Sequence, residues 1–522
     1  MRPISKPSRV AARALPSLAP IAFACGLALQ LPCASAQSAM SVDPDPAAGT
    51  VPLRTLDARV RLDGEFVHLP GHERMGLVGL TELLNVGGEW WVGPGVYGAA
   101  TGKRGGLFVP GVEGAWSHPF NDWLAVDAGV FAGGGGGAAA PVGGGLMLRP
   151  HMDLVFRFPG FYTGPTFSKV WFTSGQINSS QFGWMLNVDS SFRYRPADFT
   201  GATDGSATGL GFNQVDATVT MVHPRQSVNT SGAPLTQRIG LVGLRAERNV
   251  DGPFWAGIEA AGAGSGGVAG YAEVLGTAGL RFPVVGDRLS LDVRAAAGLG
   301  GGGGIDTGGG ILVKAAAGTT LRLTDALSIG AEVGAVDAPR HAHYKAETAA
   351  VSLDWALDVP QHDLGDWFDT RPGVPTRMEF GAGVEHYNAA RKDGTTRPLE
   401  AVVLQVNRFV APDVYVTGQA HSAFAGGAGA YSVGLFGVGA QLPVTQRLRL
   451  GLEALAGAAG GGGVDTVGGA VMQGRAYADL ALTDSLSLRV GAGKIKSVHG
   501  GLDAPVVDAA LVFSFGVDHA RH

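Results

Sequence analysis

The chain has 522 residues, of which 45% are hydrophobic and 16% charged, with 84 glycines and a formal net charge of −5. This composition is too apolar for a disordered chain, and without a basic block it does not indicate a nucleic-acid partner. It favours a β-protein with many tight turns.

The N-terminal segment has the features of a secretory signal peptide. Four basic residues precede a mostly apolar stretch over 14–33, and the sequence ASA at 34–36 fits a small-x-small cleavage signal. We therefore expect cleavage before Gln37 and export from the cytoplasm of a Gram-negative bacterium. Both cysteines, Cys25 and Cys33, lie in the removed segment, so the mature chain is predicted to lack disulfides and thiolate chemistry. Beyond it, no run approaches the ~18 apolar residues of a spanning helix.

The rest of the chain contains three copies of one module. LTDALS at 323–328 returns as LTDSLS at 482–487, and GGGGGIDT at 300–307 returns as GGGGVDT at 460–466. A diverged third copy contains HPFNDWLAVDAGVFAGGGGG at 118–137. Each copy has an alternating segment, a glycine tract and a second alternating segment, which indicates a repeat architecture.

These boundaries give the predicted organisation of the chain, taken from its first residue to its last. It comprises a signal peptide at 1–36, a periplasmic N-terminal tail at 37–56, β-barrel repeats at 57–196, 215–358 and 377–517, linkers at 197–214 and 359–376, and a C-terminal tail at 518–522.

The glycine tracts do not fit a phosphate-binding loop. None leads into a helical pattern, and none ends in the Lys-Ser/Thr pair that meets phosphate and magnesium. The stretch Gly102–Arg104 (GKR) has the wrong upstream spacing. We interpret the tracts as hairpin tips or strand ends that pack closely against other backbone.

Strict alternation of apolar and polar residues is the strongest local signal. In 289–299, Leu291 and Val293 face one way while Asp292 and Arg294 face the other. Equivalent segments of about nine to twelve residues match the length of a tilted membrane-spanning strand.

Short turns alternate with longer or glycine-rich connections, as in barrels with tight periplasmic turns and longer outer loops. The final strand, ALVFSFGV at 510–517, resembles the aromatic-ended closing strand of bacterial outer-membrane proteins, although the tail DHARH follows it. The chain thus resembles the bacterial outer-membrane β-barrel proteins. That resemblance implies an all-β, transmembrane, antiparallel β-barrel in the outer membrane, in contact with its lipid and lipopolysaccharide.

Three eight-stranded modules can close in two ways. We expect one large barrel of about 24 strands; three tandem eight-stranded barrels are the alternative. The large barrel encloses a wide lumen that no segment plugs, so it requires a periplasmic or lumen-filling protein partner or an exported polymer. In the alternative, side chains fill each interior.

The polar faces of the alternating segments supply candidate lumen-facing charges. In the second module they nearly balance, which suits either a paired network or a wet channel. The candidates are Arg149, Asp153, Arg157, Arg245, Glu259, Glu273, Arg281, Asp292, Arg294, Lys314, Glu332 and Asp354, with Glu247 and Arg322 in the same inward set.

No residue set predicts catalysis, a cofactor or a metal site. His341, His343 and His499 stand in predicted outer loops, where solvent exposure is the ordinary interpretation. His341 and His343 lack a visible third metal ligand. Asp306 and Asp465 recur at the glycine-rich tips, where aspartate usually makes a turn.

Basic loop residues at 102–104 and 391–392 are candidates for contact with lipopolysaccharide phosphates, with solvating charge as the simpler interpretation. The predicted function is a porin-like transport or export pore for an unidentified substrate or polymer, without enzyme activity. In architecture alone it resembles the plugless barrels of porin–cytochrome conduits and secretion channels; any haem would belong to another chain. The alternatives are a structural or surface-interaction protein made of sealed barrels and, less favoured, an outer-membrane hydrolase.

Overall fold

The computed structural model describes most of the three repeats. The predicted signal peptide, most of both linkers, the C-terminal tail and His341 lie outside the described residues. The cleavage of a signal peptide therefore stays a prediction. The described residues are 41–42, 52–197, 208–209, 212–286, 288–324, 326–339, 342–357 and 376–517.

The described chain forms three closed antiparallel β-barrels of eight strands each, and a two-residue strand, β1 (Ser41–Val42), pairs with β2. Barrel 1 comprises β2 (Arg54–Leu69), β3 (Glu73–Gly87), β4 (Trp90–Thr101), β5 (Phe108–Pro119), β6 (Leu124–Gly134), β7 (Leu146–Phe158), β8 (Phe161–Phe172) and β9 (Asn178–Tyr194). Barrel 2 comprises β10 (Gln214–Pro224), β11 (Ile239–Asp251), β12 (Phe254–Ser265), β13 (Ala272–Val285), β14 (Leu289–Gly301), β15 (Ile311–Arg322), β16 (Leu327–Asp337) and β17 (Lys345–Ala356). Barrel 3 comprises β18 (Thr376–Ala390), β19 (Thr396–Ala411), β20 (Val414–Ala425), β21 (Ser432–Pro443), β22 (Leu448–Gly460), β23 (Ala470–Ala481), β24 (Leu486–Ser497) and β25 (Asp503–Val517).

Among the residues that the structure describes, helical structure is minimal. A single 3₁₀ turn, Pro70–His72, connects β2 to β3 in barrel 1. In the part of the chain that the structure describes, no helix is long and apolar enough to cross a membrane.

The expectation of one 24-stranded barrel is wrong, and the alternative of three tandem barrels is confirmed. The first and last strands of each module pair with each other: β2 with β9, β10 with β17, and β18 with β25. Eight strands enclose an interior that side chains can just fill. No wide lumen exists among the described residues, so the reason for expecting a lumen-filling partner is removed.

Each barrel has two distinct ends. The connections within strand pairs such as β11–β12 and β13–β14 are short, and they lie at the same end as the first and last residues of the module; we call this the turn end. The longer connections lie at the opposite end, which we call the loop end. The three glycine tracts, 135–145, 302–310 and 461–469, each connect the fifth and sixth strands of their barrel at the loop end.

The two faces of the strands follow the alternation in the sequence. In β14, Leu291 and Val293 point outward and are 48% and 44% exposed, whereas Arg294 points inward and is buried. The same holds in β7, where Met152 is exposed and its neighbours Arg149 and Asp153 are buried. The outer walls are therefore largely apolar, and the polar side chains face the interiors.

Candidate functional site

The interior of barrel 1 is occupied by a network of buried ion pairs. Arg61 is fully buried and contacts Asp63 at 2.8 Å and Asp153 at 2.7 Å. Arg149 contacts Glu65 at 2.9 Å and Asp63 at 3.3 Å. Buried charges need partners of this kind, because an unpaired charge in a water-poor interior is strongly unfavourable.

Hydroxyl and imidazole groups complete this network. The Tyr97 hydroxyl donates to Asp63 at 3.0 Å, and the Ser168 hydroxyl donates to Glu65. His151 lies between Glu113 at 3.2 Å and Asp153 at 3.0 Å. The carboxylates are thus bridged across strands that are distant in sequence, which ties opposite walls of the barrel together.

Barrel 2 contains a second network of the same type. Arg294 contacts Glu259 at 2.7 Å and Glu332 at 2.6 Å, and Lys314 also reaches Glu259 at 3.1 Å. Arg245 contacts Glu332 at 3.3 Å, so one chain of contacts crosses the barrel. Carboxylates outnumber cations among the described inward residues. The carboxylates are Asp216, Glu247, Glu259, Glu273, Asp292, Glu332 and Asp354, and the cations are Arg245, Arg281, Arg294, Lys314 and Arg322.

Barrel 3 centres its network on a buried glutamate. Glu453 contacts Arg475 at 2.7 Å and accepts hydrogen bonds from Tyr415 at 2.6 Å and Gln405 at 2.8 Å. Arg475 also contacts Asp508 of β25 at 2.8 Å, and it donates to Gln405 of β19, on the opposite side of the barrel, at 2.8 Å. Arg489 joins Glu379 and Asp479 at 2.7 and 2.6 Å.

Above each charged network, toward the loop end, the interior becomes apolar. The alternating pattern of apolar and polar residues does not indicate this change. In the loop-end part of each strand, apolar residues occupy inward positions that are polar elsewhere along the strand. The inward apolar residues include Val67, Met75 and Phe131 in barrel 1, Val222, Leu241 and Leu312 in barrel 2, and Tyr387, Leu399 and Ile495 in barrel 3. Each barrel is thus closed by a hydrophobic seal as well as by ion pairs.

The recurring IDT and VDT motifs fold the loops onto these seals. Ile305 and Val464 are buried in the apolar clusters of barrels 2 and 3. Two residues further on, the Thr307 hydroxyl donates to Gly300 O at 3.0 Å, and the Thr466 hydroxyl donates to Ala459 O at 3.1 Å. The motif therefore pins its own loop across the barrel opening.

The glycine tracts also hold the barrels against one another. The last glycine of each tract has a positive φ: 100° at Gly145, 100° at Gly310 and 93° at Gly469. A Cβ on Gly145 would lie 2.2 Å from Ala423 O of barrel 3, and one on Gly469 would lie 2.0 Å from Ala263 O of barrel 2. Both the backbone conformation and the close approach therefore require glycine.

These contacts form a closed cycle. The tract of barrel 1 packs on the β20–β21 loop of barrel 3, the tract of barrel 2 on the β4–β5 loop of barrel 1, and the tract of barrel 3 on the β12–β13 loop of barrel 2. Backbone hydrogen bonds join two of the three interfaces, Gly105 N to Gly308 O at 3.0 Å and Gly429 N to Gly143 O at 3.1 Å. Each barrel donates one tract and receives another, at equivalent positions.

The structure brings most of the sequence-predicted lumen-facing charges into these networks. Arg281 is partly exposed near the turn end, where it contacts Asp292 at 2.6 Å and Glu247 at 3.0 Å. Arg157 lies over the Tyr162 ring at 5.3 Å, outside the ion-pair network described above. Asp354 is buried directly opposite Asp216 in the β10–β17 register.

The candidate residues in loops form no catalytic or metal-binding set. His343 contacts Asp306 at 3.0 Å and is mostly exposed, and His499 is exposed in the β24–β25 loop. Asp465 lies in the barrel 3 tract, where its carbonyl accepts from Leu502 N at 2.9 Å. Within the described ranges, no group of three or more His, Cys, Asp or Glu side chains is arranged to hold a metal ion.

The basic loop residues are largely engaged in holding loops together. Arg104 contacts Glu73 at 2.6 Å and donates to Ala138 O at 3.0 Å. Arg391 is buried and donates to Gly462 O at 3.2 Å. Their sequence neighbours Lys103 and Lys392 are exposed.

Two groups of interior residues were missed from the sequence. The inward charges of β2 alternate strictly, at positions 59, 61, 63 and 65, so the same pattern that identified Arg149 and Asp153 was available to find them. In barrel 3 the missed set spans several strands and includes Glu379, Glu385, Glu453, Arg475, Asp479, Arg489 and Asp508. Only their pairing across the barrel, which requires the closed fold, gives them a common role.

Closed antiparallel barrels with apolar outer walls and polar interiors are the architecture of outer-membrane β-barrel proteins, so the class resemblance drawn from the sequence is confirmed at that level. No protein-family model matches the chain. No curated protein matches it either.

Several solved structures of barrel proteins are similar to parts of the chain. A siderophore receptor of Pseudomonas aeruginosa is 10% identical over 89% of this chain and 80% of its own, with a TM-score of 0.26. The outer-membrane channel DcaP of Acinetobacter baumannii is 9% identical over 89% of this chain and 98% of its own, with a TM-score of 0.17. A designed transmembrane β-barrel is 14% identical over 28% of this chain and 98% of its own, with a TM-score of 0.20. TM-scores this low carry no information about function.

Proposed function

We propose that the chain is an integral outer-membrane protein in which three sealed barrels stand side by side as one structural and surface-interacting unit. An apolar outer wall supports the membrane location. Outward side chains such as Phe182, Val333 and Leu452 are 77%, 66% and 66% exposed, which is unfavourable in water and favourable against lipid. Closure of every barrel satisfies the backbone hydrogen bonds that a strand in lipid requires.

The observation that carries the structural role is the filled interior of each barrel. Contacts of buried charged side chains cross the middle of all three barrels: Arg61 with Asp153, Arg245 with Glu332, and Arg475 with Gln405. An apolar cluster with a folded-in loop closes each loop end. An open pore needs a continuous wet path, and buried side chains packed across the described barrel interiors oppose one. The proposed unit therefore presents surfaces to partners without conducting large solutes, and it performs no catalysis.

The loop end supplies the surface that such a unit presents. Its loops are tied by internal hydrogen bonds; for example, the Thr395 hydroxyl and backbone N–H donate to Asp393 at 2.6 and 3.0 Å. These two bonds also lower the pKa of the Asp393 carboxyl below its ordinary value. A rigid surface of this kind suits binding without a large ordering cost.

A second candidate function is transport of small ions through barrel 2. Its interior contains a cavity of about 20 Å³. The charged residues in the lining are Arg245, Arg281, Arg294, Asp292 and Glu332, and Trp255 and several small residues complete it. That volume accommodates about one water molecule, and the lining is polar. Because charged side chains line this cavity, barrel 2 is a candidate for a narrow ion-conducting path.

Planar-bilayer recording of the refolded mature chain tests both functions. Heat-modifiable migration first establishes that the chain is folded. The structural role predicts a silent membrane. The ion path predicts small conductance steps that Ala316→Leu removes by filling the barrel 2 cavity, whereas the outward-facing Ala317→Leu leaves them unchanged. Large steady openings would contradict both proposals.

A further inference from the structure

The outer wall of barrel 3 has a shallow apolar groove. It has a volume of about 620 Å³ and crosses five adjacent strands, from β20 to β24. At the usual strand spacing, this corresponds to a length of about 19 Å, comparable with an acyl chain in one leaflet. Its floor consists mainly of small outward residues, and larger residues lie along it; the lining includes Val414, Val438, Ala440, Leu452, Ala476 and Ala492.

Positive charge stands at the loop-end limit of this groove. Lys494 forms part of the groove lining, and Lys496 is the next outward residue along β24. Their side chains are 62% and 66% exposed, and both approach Asp503, at 2.6 and 3.9 Å. Two ammonium groups share one carboxylate, so one positive charge remains to attract an anion.

Barrel 2 provides an internal comparison, because its strands have the same register. The row Val414–Ala440–Leu452–Ala476–Ala492 of barrel 3 corresponds to Phe254–Leu280–Val293–Ala317–Val333 of barrel 2. Bulkier Leu280 and Val333 thus occupy the positions of two floor alanines. The positions of Lys494 and Lys496 correspond to Ala335 and Asp337. Groove and positive charge occur together on barrel 3 and not on barrel 2.

We propose that this groove binds one phosphate-bearing membrane lipid, with an acyl chain lying along the barrel 3 wall and the phosphate at Lys494 and Lys496. The inference rests on the proposed membrane location. The lysines lie near the loop end while the groove descends toward the turn end at Val414, so a lipid of the loop-side leaflet has its headgroup and chain in matching positions. Long lysine side chains also reach readily from an apolar wall toward a headgroup layer.

Native mass spectrometry of the detergent-solubilised full chain tests the proposal, with dipalmitoylphosphatidylglycerol as the anionic probe and dipalmitoylphosphatidylcholine as the zwitterionic one. We expect one tightly retained phosphatidylglycerol. Ala440→Leu/Ala492→Val installs the residues that barrel 2 has at these positions, and it should weaken retention at least about tenfold by removing chain contacts. Ala278→Leu/Ala317→Val adds similar bulk to the outer wall of barrel 2 and should leave retention unchanged.

The headgroup contribution is tested separately. Lys494→Ala/Lys496→Ala should abolish the preference for phosphatidylglycerol over phosphatidylcholine, whereas Lys345→Ala on barrel 2 should preserve it. Equal retention by the wild type and the groove-filling variant would overturn the inference. Flotation of the chain with liposomes is measured in parallel: a chain that floats without retaining a lipid contradicts only this inference, whereas a chain that does not float contradicts the membrane location itself.

Discussion

Replacing Arg61 by methionine tests whether the ion-pair network holds barrel 1 together. Methionine keeps most of the side-chain volume but removes the positive charge, so the main effect is electrostatic. Arg61 is fully buried and joins Asp63 at 2.8 Å to Asp153 at 2.7 Å across the barrel. Without it, both carboxylates lose their closest cation while remaining in a water-poor interior.

The size of the effect follows from what remains around the carboxylates. Removing one member of a buried ion pair typically costs about 3–5 kcal/mol. Asp63 keeps Arg149 at 3.3 Å and the Tyr97 hydroxyl at 3.0 Å, and Asp153 keeps His151 at 3.0 Å. We therefore expect the lower limit, about 3 kcal/mol, which shifts a urea midpoint by roughly 1–3 M.

Tryptophan fluorescence during urea unfolding in lipid vesicles measures this change. Barrel 1 contains most of the chain's tryptophans and barrel 3 none, so the signal reports mainly on barrel 1. Arg74→Met is the matched control, because Arg74 is exposed and lies over the Phe66 ring at 5.0 Å. The free energy of unfolding of this variant should differ from that of the wild type by less than about 1 kcal/mol.

Neutralising the orphaned carboxylates should recover part of the loss. Asp63→Asn/Asp153→Asn in the Arg61→Met background removes the unpaired charges while keeping the side-chain shape. The reasoning is refuted if Arg61→Met unfolds at the same urea concentration as the control, or if the added asparagines lower stability further.

The remaining predictions concern contacts between barrels and charge balance within one. Gly460→Ala places a Cβ 2.1 Å from Gly270 N of barrel 2 and should therefore separate barrels 2 and 3. The measurement is whether a cysteine pair engineered across that interface still forms a disulfide: we expect Gly460→Ala to prevent it. Gly434→Ala, where nothing lies within 4 Å, should leave disulfide formation unchanged. Asp354→Asn removes a like-charge pair with Asp216 and should stabilise barrel 2 by about 0.5–1 kcal/mol. The gain is measured as a higher urea midpoint for the unfolding of barrel 2. An unchanged or lower midpoint would show that the two carboxylates do not repel each other.

The strand faces could be predicted from the sequence because alternation depends only on neighbouring residues. Leu291, Val293 and Arg294 point as their spacing indicates, whatever barrel they belong to. The number of barrels depends instead on which distant strands pair, and alternation is the same in one large barrel and in three small ones. The pairing of β10 with β17 is a contact between residues more than a hundred positions apart.

A second feature of the sequence is characteristic of small barrels. The inward positions turn apolar toward the loop end; in β18, for example, the buried inward residues change from Glu379 and Glu385 to Tyr387 and Ala389. A wide aqueous lumen would expose such residues to water, whereas a narrow barrel buries them together. The glycine tracts pack closely against other backbone, as the sequence predicts. Their packing partners lie on other barrels, and these partners could not be predicted because they are distant in the sequence.

The cyclic order of the glycine-tract contacts has a consequence for stoichiometry. A head-to-tail interface closes into a ring when its rotation brings the last unit back to the first, and here it closes after three units. Three separate copies of one module would need to meet in the membrane at sufficient concentration to form this ring. Tethering in one chain makes the encounter intramolecular and fixes one of each barrel per ring. It also frees each barrel to diverge, so that a feature such as the lysine pair of barrel 3 occurs once per assembly rather than three times.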